Sequence, residues 1–469
     1  MLDNFILKTD SYKLLSHWMQ YPPGTEYISS YFEPRKGAKY PSTLFFGLQY
    51  VLKKHFLGVQ VTREKIDRAE KIALKHGGHF NRAGWEHILN VHDGRLPLLI
   101  RAVPEGTVVN GDNVLLTVIN TDPNCFWLTN YAETILTHVW YPTMVATQSY
   151  YMKKVIQKYL DKNGDDKTDF KLHDFGYRGV SCCEQAAIGG AAHLLNFQGT
   201  DTIAGMEMLH EYYGADDVSG FSIPASEHST ITSWGKEHEL DAMANMLKNY
   251  PTGLVACVSD SFNIYRACRD YWGKELRDKI LARDGVLIVR PDSGDPKKVL
   301  PEILNLLAAK IGYTTNAKGF KVLDPHVRVI QGDGVDVDSL EEILNVLHVA
   351  GWSADNLAFG SGGGLLQKLN RDIQKFAFKC SAAYINGQWQ DVYKSPVDDK
   401  GKMSKRGLLK LTLDKAVDGR WPYVTTNLSD PTSVFSRLDK DTDDCMEEVF
   451  RDGELLRDYS YAEVTVRII

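Results

Sequence analysis

The sequence predicts an α/β protein built around a parallel barrel, and two observations carry that expectation. Short apolar runs ending in Gly, Asp or Ser recur from about Lys171 onward, each followed by a helical pattern. The polar and glycine-rich residues fall just after each apolar run, where an α/β barrel gathers its active-site loops. An open doubly wound sheet would collect them at the same strand ends, so periodicity favours the barrel without deciding it.

The units follow one another along the chain. FKLHDFG precedes a helix expected over 177–195, GFSIPAS one over 227–234, and GLVACVSD one over 261–272. VLIVRPDSGDP precedes 297–311, VRVIQGDGVD precedes 339–347, and NLAFGSGGG precedes 365–372. The first 150 residues mix helical patterns (64–76, 85–91) with strand-like runs (98–103, 113–118), and their many aromatic residues read as core. After about Phe378 helices are expected to stop, giving strands joined by turns, with Asn386-Gly387 a hairpin signal. The expected organisation is an N-terminal β-rich and helical domain (1–150), a barrel (151–378), and a C-terminal β-rich segment (379–469) that packs with the N-terminal domain.

Composition bounds the function. The 469 residues are 43% hydrophobic and 24% charged, ordinary for a globular protein with a large core. A net charge of -6 removes the bulk electrostatic case for nucleic acid or an anionic membrane, so an anionic ligand must be caught by a local basic cluster. Seven cysteines, odd in number and without a CxxC pair, argue against a disulfide framework or zinc ribbon and for a reducing compartment. No run approaches the roughly 18 apolar residues of a membrane helix, and the opening MLDNFILKTDSYK lacks the apolar stretch of a signal peptide. A cytoplasmic protein is expected.

The chemistry sits in the strand-end loops. In FGSGGGLLQKL, three consecutive glycines between a strand and a helix let backbone N–H groups close on an anion. These are Gly362, Gly363 and Gly364, with Arg371 expected inside the following helix and Lys379 beyond it. Arg290 and Asp292 flank Pro291 and are expected to leave the strand on opposite sides, the arginine for phosphate and the carboxylate for ribose hydroxyls or Mg²⁺. Asp333, after Gly332, repeats the carboxylate. His228 opens a helix, and Asp260 at the next strand end would hold one tautomer and leave the other ring nitrogen free. Phe175 offers a stacking face and Arg178 an anion fork, and Asp201 follows in GTDT. The basic loop 398–406, with Lys400, Lys402, Lys405 and Arg406, reads as a solvated face. Together these residues ask for a ribose, a phosphate, a diphosphate with metal, and an aromatic ring.

The motifs TDSYK, QYPPGTEYISSYFEPR, KLHDFGYRGVS, NFQGTDTIAG, ASEHSTITSWGKEHE, RPDSGDP, RVIQGDGVD and AFGSGGGLLQKLNRD run in order through nearly the whole chain. In them the sequence resembles the nicotinamide phosphoribosyltransferase family of type II phosphoribosyltransferases. The resemblance implies an irregular α/β barrel beside a β-rich domain, in a homodimer whose active sites are shared between subunits. It implies transfer of phosphoribosyl from phosphoribosyl diphosphate to nicotinamide, with Mg²⁺ as cofactor and ATP as co-substrate. Phe175 would stack one face of nicotinamide and Tyr12 of the partner subunit the other, with Asp10 nearby and Asp201 accepting from the carboxamide. His228 would be the residue that ATP phosphorylates, oriented by Asp260 and beside Glu227. Arg178 and Arg290 would hold diphosphate and phosphoribosyl groups, Asp292 and Asp333 the ribose and metal side. Gly332, Gly362 and Gly363 would meet the ribose phosphate, and Arg371, Lys379, Lys394 and Lys402 would surround the phosphates. Ala256 and Ala377 stand where the family pattern has serine. The alternative is the same fold acting on nicotinate, which an acidic Asp201 would repel.

Overall fold

In a computed structural model of the chain, residues 3–216, 218–396, 403–414, 422–435 and 443–468 are described. Lys400 and Lys402 lie outside the described residues. The strands of the two large sheets are, in chain order, β1 (Thr25–Glu33), β2 (Leu98–Ala102), β3 (Leu116–Asn120), β4 (Leu172–Asp174), β5 (Gly199–Thr200) and β6 (Thr252–Val258). They continue as β7 (Asp284–Arg290), β8 (Val327–Gln331), β9 (Leu357–Ser361), β10 (Ala377–Ile385), β11 (Gln388–Asp391), β12 (Glu447–Arg451) and β13 (Glu454–Leu455).

The chain divides into two compact units, one of 1–147, 211–214 and 370–469, the other of 148–210 and 215–369. The first unit carries an antiparallel sheet in the order β11-β10-β1-β3-β2-β12-β13, so three strands from the start of the chain are flanked on both sides by strands from its end. Of the aromatic residues read as core from the sequence, Tyr31, Phe32, Phe45 and Phe46 are fully buried. Asn386 (φ 50°) and Gly387 (φ 80°) both take left-handed conformations, which the two-residue turn between β10 and β11 requires.

The second unit holds a parallel sheet in the order β5-β4-β9-β8-β7-β6. Its two edges are joined through the segment 221–225. Phe221 bridges Gly199 of β5 and Ala225 bridges Ala256 of β6, both in parallel sense. That closes an irregular barrel and removes the open-sheet alternative. The segment makes only isolated bridges because Pro224 has no N–H to give to a ladder. Helices return from most strand ends. Those that matter below are α1 (Arg82–Val91, in the first unit), α2 (Cys183–Leu194), α3 (His228–Thr232), α4 (Pro296–Lys310), α5 (Val337–Val349) and α6 (Gly363–Leu366). The start of α4 shows the local logic: Asp295 accepts from the Lys297 N–H and Pro296 takes the first helical position.

Four sequence expectations are corrected. The helix after the triple glycine ends at Leu366, because the Asn370 side chain accepts from the backbone N–H groups of Asp372 and Ile373 and turns the chain. Arg371 therefore lies in a turn and not in a barrel helix, and residues 370–378 belong to the first unit. The strand expected over 113–118 starts only at Leu116, since Asn113 gives its side chain to the Thr425 backbone. Helices also do not stop at Phe378: Tyr461–Val466 is helical, capped by the Ser460 hydroxyl. No described helix is long and apolar enough to cross a membrane.

Candidate active site

Side chains alternate along a strand, and every second residue of the barrel strands points into the bore. Branched side chains commonly fill such a bore. Here Ala256, Ala358 and Gly360 occupy inward positions, and a cavity of about 310 Å³ remains, lined also by His173, Phe175, Asp201 and Arg290. Gly360 has to be glycine. A Cβ there would lie 1.9 Å from the Phe175 ring, which rests on this backbone.

Phe175 follows β4 and Asp201 follows β5, so adjacent parallel strands deliver both to one end of the cavity. The Asp201 Oδ1 accepts from the Ser222 hydroxyl at 2.6 Å, and its backbone N–H donates to the Asp174 carbonyl at 2.9 Å. Asp174 itself is fully buried and accepts from the Gly176 N–H at 2.7 Å. Burial, opposed by that N–H and reinforced by the Asp201 charge, pushes the Asp174 carboxyl up to about 6. Burial likewise lowers the His173 imidazole, which stays neutral in the apolar wall.

His228 is the first residue of α3. Its Nε2 donates to Asp260 Oδ1 at 3.1 Å, and Ser293 donates to the other oxygen of the same carboxylate. Asp260 is thereby enclosed (2% of its side chain exposed) while the imidazole stays about half exposed at 47%. Nδ1 has no hydrogen-bond partner among the described residues and is the open nitrogen. Glu227 is engaged elsewhere: it accepts from the Ser229 hydroxyl, and its N–H donates to Thr230 Oγ1 at 3.3 Å.

Arg290 and Asp292 do not diverge around Pro291 as the sequence suggested. The guanidinium folds back onto the carboxylate in a bidentate pair, Nε to Oδ1 at 2.9 Å and a terminal nitrogen to Oδ2 at 2.7 Å. It also lies 5.1 Å from the Phe175 ring centroid. A Cβ on Gly332 would sit 2.7 Å from Asp292 Oδ1, so this glycine makes room for the ion pair. Asp333 beside it is exposed. Gly362 and Gly363 begin α6 after β9, and Arg178 is exposed in the turn Tyr177–Gly179 after β4. All these loops leave the carboxyl ends of parallel strands.

The remaining candidates gather in the first unit. Tyr12, with 56% of its surface exposed, lines a cavity of about 380 Å³ with Asp10 and Arg371. Lys379 on β10 is half-buried, and burial together with the Arg35 and Lys394 charges lowers its ammonium group. Those three residues form a basic cluster. Lys405 is already paired with Glu33 and, at 3.4 Å, with Asp112. Sequence reasoning missed Arg35, Ser222 and Ser293. Arg35 stood in the quoted FEPR motif, but nothing in the spacing linked it to Lys379. The two serines are ordinary loop residues until the fold sets them against Asp201 and Asp260.

Residues 4–100 match the model of the nicotinamide phosphoribosyltransferase N-terminal domain, and residues 170–454 that of the nicotinate phosphoribosyltransferase (NAPRTase) family. A nicotinamide phosphoribosyltransferase of Xanthomonas campestris pv. campestris is 49% identical over 468 residues, covering 99% of this chain and 97% of that protein. The chain belongs to the nicotinamide phosphoribosyltransferase family. It is an enzyme of the pentosyltransferase class. Within the family, the nicotinamide phosphoribosyltransferase of Acinetobacter baylyi is 33% identical over 503 residues, covering 98% of this chain and 96% of its own. Two solved structures share the type II phosphoribosyltransferase fold at 14% identity. Nicotinate-nucleotide pyrophosphorylase from Pyrococcus furiosus has a TM-score of 0.58, covering 100% of this chain and 95% of its own. Human nicotinic acid phosphoribosyltransferase has a TM-score of 0.56, covering 98% and 92%.

Proposed function

We propose that the enzyme transfers phosphoribosyl from phosphoribosyl diphosphate to nicotinamide, releasing nicotinamide mononucleotide and diphosphate in NAD salvage. The observation that carries this reading is Asp201, a carboxylate aimed by Ser222 beside the Phe175 ring at the cavity. An ionised carboxylate accepts hydrogen bonds and cannot donate them, which suits the N–H groups of a carboxamide.

The pyridine ring lies on Phe175, and Tyr12 of a second copy supplies the opposite face, so the working unit is a homodimer in the cytoplasm. Nicotinamide N1 attacks C1 of the sugar as the bond to diphosphate breaks, through an oxocarbenium-like transition state. Asp292 stabilises the ribose side and Arg290, held by it, the phosphoryl side. Arg178 approaches the departing diphosphate. Gly332, Gly362 and Gly363 bring backbone close to the 5′-phosphate, and Arg371, Lys379 and Lys394 are the basic residues assigned to the phosphates, some of them from a second copy. Mg²⁺ fits an exposed carboxylate such as Asp333 together with substrate phosphates, and when bound it supplies charge neutralisation on the diphosphate.

ATP enters as co-substrate through His228. Nδ1 forms a bond to the γ-phosphorus as the bond to ADP breaks, while Asp260 holds the ring by Nε2–H. Phosphohistidine hydrolysis then couples to tighter capture of phosphoribosyl diphosphate. His228→Ala should abolish ATP stimulation and cut turnover by on the order of 10² to 10⁴ while leaving the fold intact. Label from γ-phosphate-labelled ATP should be acid-labile and absent from the variant. Label that persists in His228→Ala contradicts this role.

A further inference from the structure

The first unit contains a second cluster of chemistry-bearing side chains that the phosphoribosyl reaction does not use. His87 lies on α1 and His92 caps its end, while Asp122 and Cys125 sit on the connection that follows β3. The four donor atoms lie within 4.8 Å of one another. The local sequence accounts for the convergence. Asp122 caps the short 3-10 turn Pro123–Cys125, and that single turn brings its carboxylate and the Cys125 thiol together. His92 leaves helical geometry at φ −113°, ψ 16°, and both imidazoles reach one oxygen: Asp122 Oδ2 accepts from His87 Nε2 at 2.7 Å and from His92 Nε2 at 2.6 Å.

A hydrogen-bonded hub of one carboxylate and two imidazoles would explain three of these residues. It does not explain the fourth. Cys125 is fully buried, and among the described residues its thiol has no hydrogen-bond partner. The outer oxygen of Asp122 is meanwhile held by the Asn124 N–H at 2.7 Å and by its amide at 3.1 Å, the kind of support that orients a metal ligand. Asp122 and the imidazoles are 12%, 28% and 23% exposed, which leaves a path for an ion to enter.

We propose that His87, His92, Asp122 and Cys125 form a structural binding site for a tetrahedral divalent cation of the zinc class. Two nitrogens, one oxygen and one sulfur are a donor set that zinc accepts. The edges of a zinc tetrahedron, roughly 3.3–3.7 Å, are reached by small shifts of side chains already in contact. Uptake transfers the Cys125 thiol proton to solvent and moves each imidazole proton off Nε2. A dication with one thiolate and one carboxylate is then neutral overall. Four protein ligands fill the coordination shell, so the ion pins the end of α1 to the β3 connection and takes no substrate.

The test uses the full-length, tag-free protein. After growth in zinc-supplemented medium it should carry about one zinc per chain by elemental analysis and lose thermal stability when that zinc is stripped. Cobalt added to the stripped protein should give tetrahedral visible bands and a near-ultraviolet thiolate-to-cobalt band, both displaced by zinc. Cys125→Ser should abolish the thiolate band, and His92→Ala should weaken cobalt binding at least about tenfold. The exposed pair Cys182 and Cys183 is controlled by the double serine variant, which should leave the spectrum unchanged. Zinc-free protein that also gives no cobalt spectrum overturns the proposal, and so does a thiolate band that survives Cys125→Ser. Both readouts on the unmutated protein decide the matter even where a variant fails to fold.

Discussion

Asp174 shows how much one buried group shapes the site around it. Its carboxyl is raised to about 6 from an ordinary value near 3.8, because burial disfavours the anion and Asp201 lies close. A carboxyl raised in the folded state contributes stability while it stays protonated, and that contribution is lost as pH rises through the folded value. Between about pH 4 and pH 7 the wild type therefore loses stability that an Asp174→Asn protein does not. A shift of about two units corresponds to roughly 3 kcal/mol. Urea denaturation of both proteins across this range should show the variant gaining on the wild type by up to that amount as pH rises. A pH-independent difference would mean that Asp174 titrates normally. The neighbouring Asp201 is held by Ser222 and by the Asp174 backbone carbonyl, both kept in Asp174→Asn, so the variant should leave Asp201 in place.

At the scale of elements, the site depends on strands that place small residues in the bore. Gly360 on β9 lies against the Phe175 ring, where a Cβ would come within 1.9 Å. Gly360→Ala must displace the ring, and overpacking of this kind costs about 1–3 kcal/mol. If Phe175 stacks the pyridine, the KM for nicotinamide should rise by about tenfold, the equivalent of 1.4 kcal/mol. An unchanged KM in a folded variant would show that the ring position is not used. The two units after β7 and β8 were legible in the sequence because each pairs an apolar run with an amphipathic helix capped by an aspartate, Asp295 and Asp336. The helix expected over 297–311 is found at Pro296–Lys310, and that expected over 339–347 at Val337–Val349. Interactions that join distant or competing groups were not legible. Asn370 ends a helix by giving its side chain to the backbone, and Pro224 reduces an expected strand to two bridges. The fold-back of Arg290 onto Asp292 depends on side-chain torsions that spacing does not encode. The His228–Asp260 pair was legible because each residue ends a strand unit, whereas the serine that holds Asp260 was not.

At the scale of the whole molecule, the proposed ring sandwich takes Phe175 from one copy of the chain and Tyr12 from a second. In a two-fold dimer with shared sites, Tyr12→Ala and Phe175→Ala chains are each inactive alone. Mixed, they should regenerate one intact site per heterodimer, about a quarter of wild-type activity in a random mixture. Heterodimers that form without regaining activity would contradict sharing. In the proposed reaction a carboxylate selects the base. Nicotinate would bring its own charge against Asp201, and juxtaposed like charges cost several kcal/mol. The most direct measurement is therefore the ratio of kcat/KM for nicotinamide and nicotinate with phosphoribosyl diphosphate, each with and without ATP. That ratio should favour nicotinamide by at least about 10², and Asp201→Ser should narrow it from both sides. Equal use of the two bases by the unmutated enzyme, or a preference for nicotinate, would show that Asp201 does not select the base.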